Sequence, residues 1–358
     1  MLRFLSSRVR AFSAATFGAA ALLAAPLAFA DSISPASFSA DLGVGESVTV
    51  RKTVTVSMSG PTDAVVDIMF VFDTTGSMGG AIDNAKSSAT AVLNDLAATY
   101  GSIHSGVGQY DDPGRSILNN LTANVATTQA SINALFACYG SCGGDFPEVG
   151  FGGIKQASDD ATWRPGSNRF IIAFGDASFK DGPGALDNFA GTQASLAANG
   201  VKLFGLEFGG GSFTGNIAGL GGTTFPGGAS PDTVADAIKA AVEAGFASYS
   251  NVTVDDLGAG LPEIDVSTVC VSADIGACVG AAAIGAYDRS IDRTFEFDVT
   301  FSRVAAGDKS FDTFALVDRG ITATERDRFG GTTVPEPGSL ALLALGLLGV
   351  GASRRRLR

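Results

Sequence analysis

Val65-Val66-Asp67-Ile68-Met69-Phe70-Val71-Phe72 is a short apolar run that leads directly into Asp73-Thr74-Thr75-Gly76-Ser77-Met78-Gly79. The run is too short for a helix and rich in valine and phenylalanine, so it reads as a buried strand. Beyond the loop, Ile82, Ala85, Ala89, Val92, Leu93 and Leu96 recur at three- and four-residue spacing, the period of an amphipathic helix. The same alternation continues along the chain. Residues 103–110, 169–174 and 201–208 are further short apolar runs bounded by Gly or Asp. Ile132, Leu135 and Phe136, and later Val234, Ile238, Ala241 and Val242, carry helical spacing. Strands alternating with helices predict an α/β fold with a mainly parallel sheet flanked by helices, in which ligands bind beyond the carboxyl ends of the strands. The glycine-rich stretch 209–228 has no helical period and lacks the order of a phosphate loop, so it reads as a flexible loop at that end of the sheet.

The flanks have a different period. Within 47–58 the even positions Val48, Val50, Val54, Val56 and Met58 are apolar and the odd ones are Ser, Thr or Arg, which fits a half-buried strand pair or one long bent strand. The alternation returns at Val252 and Val254, at Val269 and Val271, and at Phe295, Phe297, Val299 and Phe301. The segment before the α/β unit is too short to fold alone. Two arrangements follow: both flanks join in one small β-sandwich into which the α/β unit is inserted, or a sandwich follows that unit and an N-terminal strand packs on it.

Both ends read as targeting segments. Residues 1–30 combine a basic start, an apolar run and Ala28-Phe29-Ala30 before Asp31, the pattern of a secretory signal peptide. The other end is Val334-Pro335-Glu336-Pro337-Gly338, an apolar stretch over 340–352, and Arg354-Arg355-Arg356. As plain chemistry this is a short membrane anchor with its arginines on the cytoplasmic side. The order of its parts resembles the PEP-CTERM sorting signal of Gram-negative bacteria. That resemblance implies recognition and removal of the tail by an exosortase, a transient hold in the inner membrane, and a place at the cell surface or in the extracellular matrix. The expected division is 1–30 signal peptide, 31–62 first sandwich strands, 63–248 α/β unit, 249–330 the rest of the sandwich, and 334–358 sorting signal with a short transmembrane helix.

Composition narrows the chemistry. The chain has 24 basic and 36 acidic residues, and seven arginines lie in the two targeting ends, so the body is more acidic than the formal charge of −12. Such a body repels phosphate backbones, which excludes nucleic acid as a partner. A single histidine, His104, rules out multi-histidine metal sites and leaves one imidazole for any catalytic triad. The four cysteines, Cys138 and Cys142, then Cys270 and Cys278, suit two short-range disulfides in an exported protein, although three pairings are open.

Asp73, Thr75 and Ser77 place a carboxylate and two hydroxyls two residues apart where a buried strand turns into a helix. This Asp-x-Thr-x-Ser pattern resembles the first part of the metal-ion-dependent adhesion site of von Willebrand factor A domains. Asp145-Phe146-Pro147-Glu148 with Gly150-Phe151 resembles a segment of the A-like domain of integrin β subunits whose Glu joins the metal site. Arg169-Phe170-Ile171-Ile172-Ala173-Phe174-Gly175-Asp176 resembles the strand whose terminal Asp completes it. The resemblance implies Asp73, Thr75, Ser77, Glu148 and Asp176 as ligands of Mg²⁺ or Mn²⁺. An oxygen-only donor set suits such hard ions. Without the resemblance, Thr75 and Ser77 would serve equally as helix caps. In integrin β subunits two acidic residues follow the Ser, but here Gly80 and Ala81 stand there, so that adjacent site is not expected. A second, Ca²⁺-type site is half kept, with Asp112 and Asp145 matching its carboxylates and Gly143 in place of its Asn. The implied function is binding of a protein or polysaccharide partner that presents a carboxylate to the ion. The membrane is touched only through the tail. A structural matrix protein whose metal only stabilises the fold is the alternative. A hydrolase using the bound ion is a third reading; an enzyme is not expected, because no paired acid/base set or nucleophile elbow is present and His104 lies on a strand without a nucleophile.

Overall fold

The structure, a computed structural model, describes residues 30–331 apart from 113, 141, 143–145 and 210. The expected signal peptide up to residue 29, the sorting signal with its transmembrane helix, and Asp145 lie outside the described residues. Three strands come first: β1 (Ser32–Ser34), β2 (Ser37–Leu42) and β3 (Ser47–Val56). The apolar run at 65–72 then forms β4 (Val65–Asp73), buried along nearly its whole length. A 3₁₀ turn, Gly76–Met78, opens into α1 (Gly79–Tyr100). The chain continues through β5 (Ser102–Tyr110), β6 (Arg115–Thr122), α2 (Val125–Ala134), α3 (Gly150–Asp160), β7 (Asn168–Gly175) and α4 (Phe189–Asn199). Next come β8 (Val201–Glu207), α5 (Ser212–Gly219), β9 (Thr223–Pro226) and α6 (Pro231–Ala247).

These strands form one sheet in the order β6-β5-β4-β7-β8-β9, parallel except for the β5–β6 pair. From β4 the chain builds outward on one side to β6 and then crosses to β7 on the other. The order therefore reverses between β4 and β7, and in a doubly wound sheet the crevice beyond the carboxyl ends at that reversal is where ligands bind. Alternate residues of β4 serve two cores. Val66, Ile68, Phe70 and Phe72 pack with α1, α2 and α6, whereas Met69 and Val71 pack with Phe151 and Ile154 of α3 and Phe213 of α5.

Two readings of this unit need correction. The helix expected around Ile132, Leu135 and Phe136 stops at Ala134, and Phe136 is exposed, because the chain turns extended at Leu135 to pair Cys138 with Thr75. The stretch 209–228 is not a plain loop: Phe213 and Ile217, four residues apart and fully buried, pin α5 onto the sheet, and β9 extends its edge.

After α6 follow β10 (Ser248–Asp255), β11 (Ile264–Ala273), β12 (Ala277–Val279), β13 (Ala282–Asp288), β14 (Arg293–Arg303), β15 (Lys309–Val317) and β16 (Gly320–Gly331). They join the first three strands in two sheets, β1-β3-β14-β11 and β12-β13-β10-β15-β16-β2. β3 is one strand, antiparallel to β14 from Ser47↔Ser302 to Val56↔Arg293, and β2 runs parallel to β16. Both sheets thus mix strands from before and after the α/β unit. Val54, Val56, Phe295 and Phe297 of one sheet meet Val252, Val254, Phe311 and Phe329 of the other in a shared core. Val269 and Val271, expected on the inner face, point outward, 58% and 40% exposed. The register of β11 instead turns Ile264 and Cys270 inward, and Cys270 is disulfide-bonded to Cys278. The other disulfide joins Cys138 and Cys142.

The two units are tied at the amino-terminal end of the parallel sheet. The Arg289 guanidinium donates to both Asp31 carboxylate oxygens at 2.6 and 2.7 Å, to the Ser57 carbonyl at 2.7 Å and to the Phe246 carbonyl at 2.9 Å. Asn168 Nδ2 donates to the carbonyls of Val65 and Ile321.

Candidate functional site

Asp73 is the last residue of β4 and is fully buried. Its Oδ1 accepts from the Thr75 backbone N–H at 2.9 Å and from the Thr75 hydroxyl at 2.7 Å. Thr75 precedes the 3₁₀ turn but makes no side-chain cap, so its hydroxyl is directed at Asp73 rather than at the turn that follows. The loop is held in place by its backbone: Thr74 N–H donates to the Tyr110 carbonyl and Cys138 N–H to the Thr74 carbonyl. Ser77 is exposed at the rim.

Glu148 arrives from the other side of the chain. It lies two residues before α3 and is 2% exposed, and the first turn of α3 is not capped by a side chain. Its backbone is clamped to the segment after β7, accepting from Lys180 N–H and donating to the Ser178 carbonyl. Asp176 follows β7 directly. Gly209 lets the loop after β8 lie against it, since a Cβ there would collide with the Asp176 backbone oxygen. Asp112, just past β5, is 7% exposed, and its Oδ2 accepts from Lys180 Nζ at 2.8 Å. Asp73, Asp112, Glu148 and Asp176 therefore converge beyond the ends of β4, β5 and β7.

The electrostatics of this cluster are out of balance. Asp73 Oδ2, Asp112 Oδ1, Glu148 Oε2, Asp176 Oδ1 and the Tyr110 hydroxyl are buried with no hydrogen-bond partner among the described residues. Burial, opposed by the Thr75 hydrogen bonds and reinforced by the charges of Asp176 and Asp112, pushes the Asp73 carboxyl up to about 7. Burial and the charges of Asp73, Asp112 and Asp176, opposed by Lys180, push Glu148 up to about 8. Tyr110 is raised by burial and by the same carboxylates. Buried charges are tolerated only when paired, and among the described residues the ammonium of Lys180 at Asp112 is the cation that faces these carboxylates. Lys180 and Tyr110 carried no signal in the sequence, because neither belongs to the Asp-x-Thr-x-Ser pattern. His104 is paired with Asp67 across β4 and β5, near the opposite end of the sheet, away from these carboxylates.

The raised carboxyls set a pH dependence. Their folded-state pKa values lie above the ordinary range, so the folded, metal-free protein holds protons that the unfolded chain releases. Their contribution to stability is complete below about pH 4 and is lost as pH rises toward the folded values. The denaturation midpoint in EDTA is expected to fall between about pH 4 and pH 8, and Mg²⁺ is expected to reduce that fall only if it binds these carboxyls. Urea unfolding across this window, with EDTA or Mg²⁺, is the measurement.

Residues 67–187, which hold Asp73, Asp112, Glu148 and Asp176, match the family model of the von Willebrand factor A domain. The chain carries a von Willebrand factor A domain. Such A domains are typically non-enzymatic binding modules. Residues 333–356 match the PEP-CTERM protein-sorting motif, which implies exosortase-mediated processing, export, and membrane or cell-surface association in Gram-negative bacteria. Among the described residues no helix is long and apolar enough to cross a membrane. A solved von Willebrand factor type A protein from Catenulispora acidiphila is similar at 17% identity and TM-score 0.40, over 85% of this chain and 74% of its own. Proximal thread matrix protein 1 from the mussel byssus is similar at 15% identity and TM-score 0.41, over 56% of this chain and 48% of its own. No curated protein matches the chain.

Proposed function

We propose that this is an exported surface or matrix protein whose A domain binds a carboxylate-bearing partner through a divalent cation, Mg²⁺ or Mn²⁺, held by Asp73, Thr75, Ser77, Glu148 and Asp176. The observation that carries the reading is the set of buried, unpartnered oxygens on Asp73, Glu148 and Asp176, from three separate loops, at the reversal point of the sheet. Among the described residues no three His, Cys, Asp or Glu side chains are grouped closely enough to hold an ion by themselves. On this reading Asp73, Glu148 and Asp176 would draw in around the ion, with the hydroxyls of Thr75 and Ser77 as the further donors. Neutral hydroxyl ligands leave part of the ion's charge uncompensated, which is what draws an acidic group from a partner to an open position.

The surroundings suit a macromolecular partner. A cleft lined by Tyr100, Phe246 and Arg289 among others lies at the junction of the two units. The exposed ring of Tyr139 covers Gly76 and Gly79, and Phe136 and Phe146 nearby in sequence are also exposed. Asp112 is already engaged by Lys180, so a Ca²⁺ ion held by Asp112 and Asp145 would have to displace that ammonium or share the carboxylate with it.

The test is capture of material from the native cell surface or matrix by the immobilised chain, with Mg²⁺ and with EDTA. Capture is expected in Mg²⁺ and loss of it in EDTA. Full capture in EDTA, with a lowered melting temperature, would instead favour the reading in which metal only clamps the three loops together.

A further inference from the structure

β3 alternates strictly, with one exception on its inner face. Between Val50 and Val54 stands Lys52, fully buried in the sandwich core. Opposite it, β16 turns Glu325 and Asp327 inward between Ala323 and Phe329, and both are also fully buried. Lys52 Nζ donates to Glu325 Oε1 and lies 3.8 Å from Asp327 Oδ1. Its ammonium sits 5.2 and 5.5 Å from the ring centres of Phe301 and Phe38. Thr313 holds the other Asp327 oxygen, while Glu325 Oε2 and Asp327 Oδ1 have no hydrogen-bond partner among the described residues. Two carboxylates and one ammonium sealed between apolar sheets are a costly arrangement, and an ion pair at that depth adds little stability over an apolar core.

We propose that Lys52 and Glu325 form an intramolecular amide cross-link, with Asp327 as the group that takes the amine's proton. The lysine must lose a proton to become a nucleophile, and Asp327 is the buried base within reach. The free amine attacks the carboxyl carbon of protonated Glu325. The new C–N bond forms, the C–OH bond breaks, and one water leaves. Starting from ammonium, neutral Glu325 and ionised Asp327, the products are a neutral amide, a neutral Asp327 and water. No oxidant or cofactor is needed, and both buried charges disappear. Burial, opposed by Lys52 and reinforced by Asp327, raises the Glu325 carboxyl to about 7, so its protonated form is populated near neutral pH. The phenylalanines exclude the water that would otherwise solvate the amine.

Peptide mapping of the full exported chain by mass spectrometry tests this. The peptides containing Lys52 and Glu325 are expected as one branched species lacking one water. Glu325→Gln should still cross-link, now with loss of ammonia, because its amide is an electrophile of the same shape. Lys52→Arg keeps the charge and should yield separate peptides. Asp327→Asn should leave most chains uncross-linked. Recovery of the wild-type peptides separately at their sequence masses, or a cross-link that maps to Asp327, would overturn the assignment.

Discussion

Asp73→Ala is expected to lower Mg²⁺ affinity by about 100-fold or more, and to abolish cation-dependent capture of the partner. Losing an outer-shell partner alone costs about 10- to 100-fold in metal affinity, and Asp73 is placed to contact the ion directly. The same substitution should not unfold the chain. It removes a carboxyl that burial drives up to about 7, and so relieves repulsion with Asp112 and Asp176 in the metal-free state. Thr75, itself buried, loses the acceptor of both its backbone N–H and its hydroxyl, a cost set against that relief. The expected signature is therefore lost binding with metal-free stability little changed, read by calorimetric titration of chelator-stripped protein beside a thermal melt. An Asp73→Ala chain that bound Mg²⁺ and its partner like the parent would sink the proposed site.

Asp31→Ala should be the most destabilising single change at the junction, by about 3 to 5 kcal/mol. Its carboxylate is the only acidic partner among the four hydrogen bonds to Arg289, whose side chain is 7% exposed. Truncation leaves the guanidinium buried beside two carbonyls and no counter-charge. Asp31→Asn keeps the shape and an acceptor oxygen and is expected to cost less. Both should leave the Mg²⁺ dissociation constant unchanged, because Asp31 lies at the opposite end of the sheet from Asp73 and distant sites act independently. Urea denaturation and titration of the same preparations separate the two effects. Equal stability of Asp31→Ala and the parent would show that Arg289 finds compensation elsewhere.

The residues that announce the A domain were legible because each belongs to a strong local pattern. β4, β5, β7 and β8 are short apolar runs buried on both faces, and α1 and α6 carry an apolar stripe at helical spacing. β6 was missed because its residues are only partly buried at the sheet's edge, so no apolar run marks it. α3 begins Gly150-Phe151-Gly152-Gly153, a poor helix signal, yet those glycines let the helix approach closely: a Cβ on Gly153 would stand 2.6 Å from the Tyr110 ring. α5 was hidden in the same way. At the site, Asp73, Glu148 and Asp176 were readable from motif likeness, while Lys180 and Tyr110 depend on which loops the fold brings together. Lys52 breaks the run of apolar even positions in β3 and was passed over in the sequence. Its meaning came only with Glu325 and Asp327, which are 273 residues or more further along the chain.

The A domain is entered at β4 and left at the end of α6, and both connections lie at the end of the sheet that Arg289 ties to the sandwich, whereas Asp73 is at the other end. Nine residues of β4 separate those ends, a distance of about 30 Å at the rise of an extended strand. The sandwich thus stands at the far end of β4 from the carboxylates. A surface that held the protein by its sandwich would carry the carboxylate cluster at the outermost point, clear of crowding polymer. Pulling on a bound partner would send the same force through the loops around Asp73 and then through β4 and α6 to the joint at Arg289, so the weaker of the two would yield first.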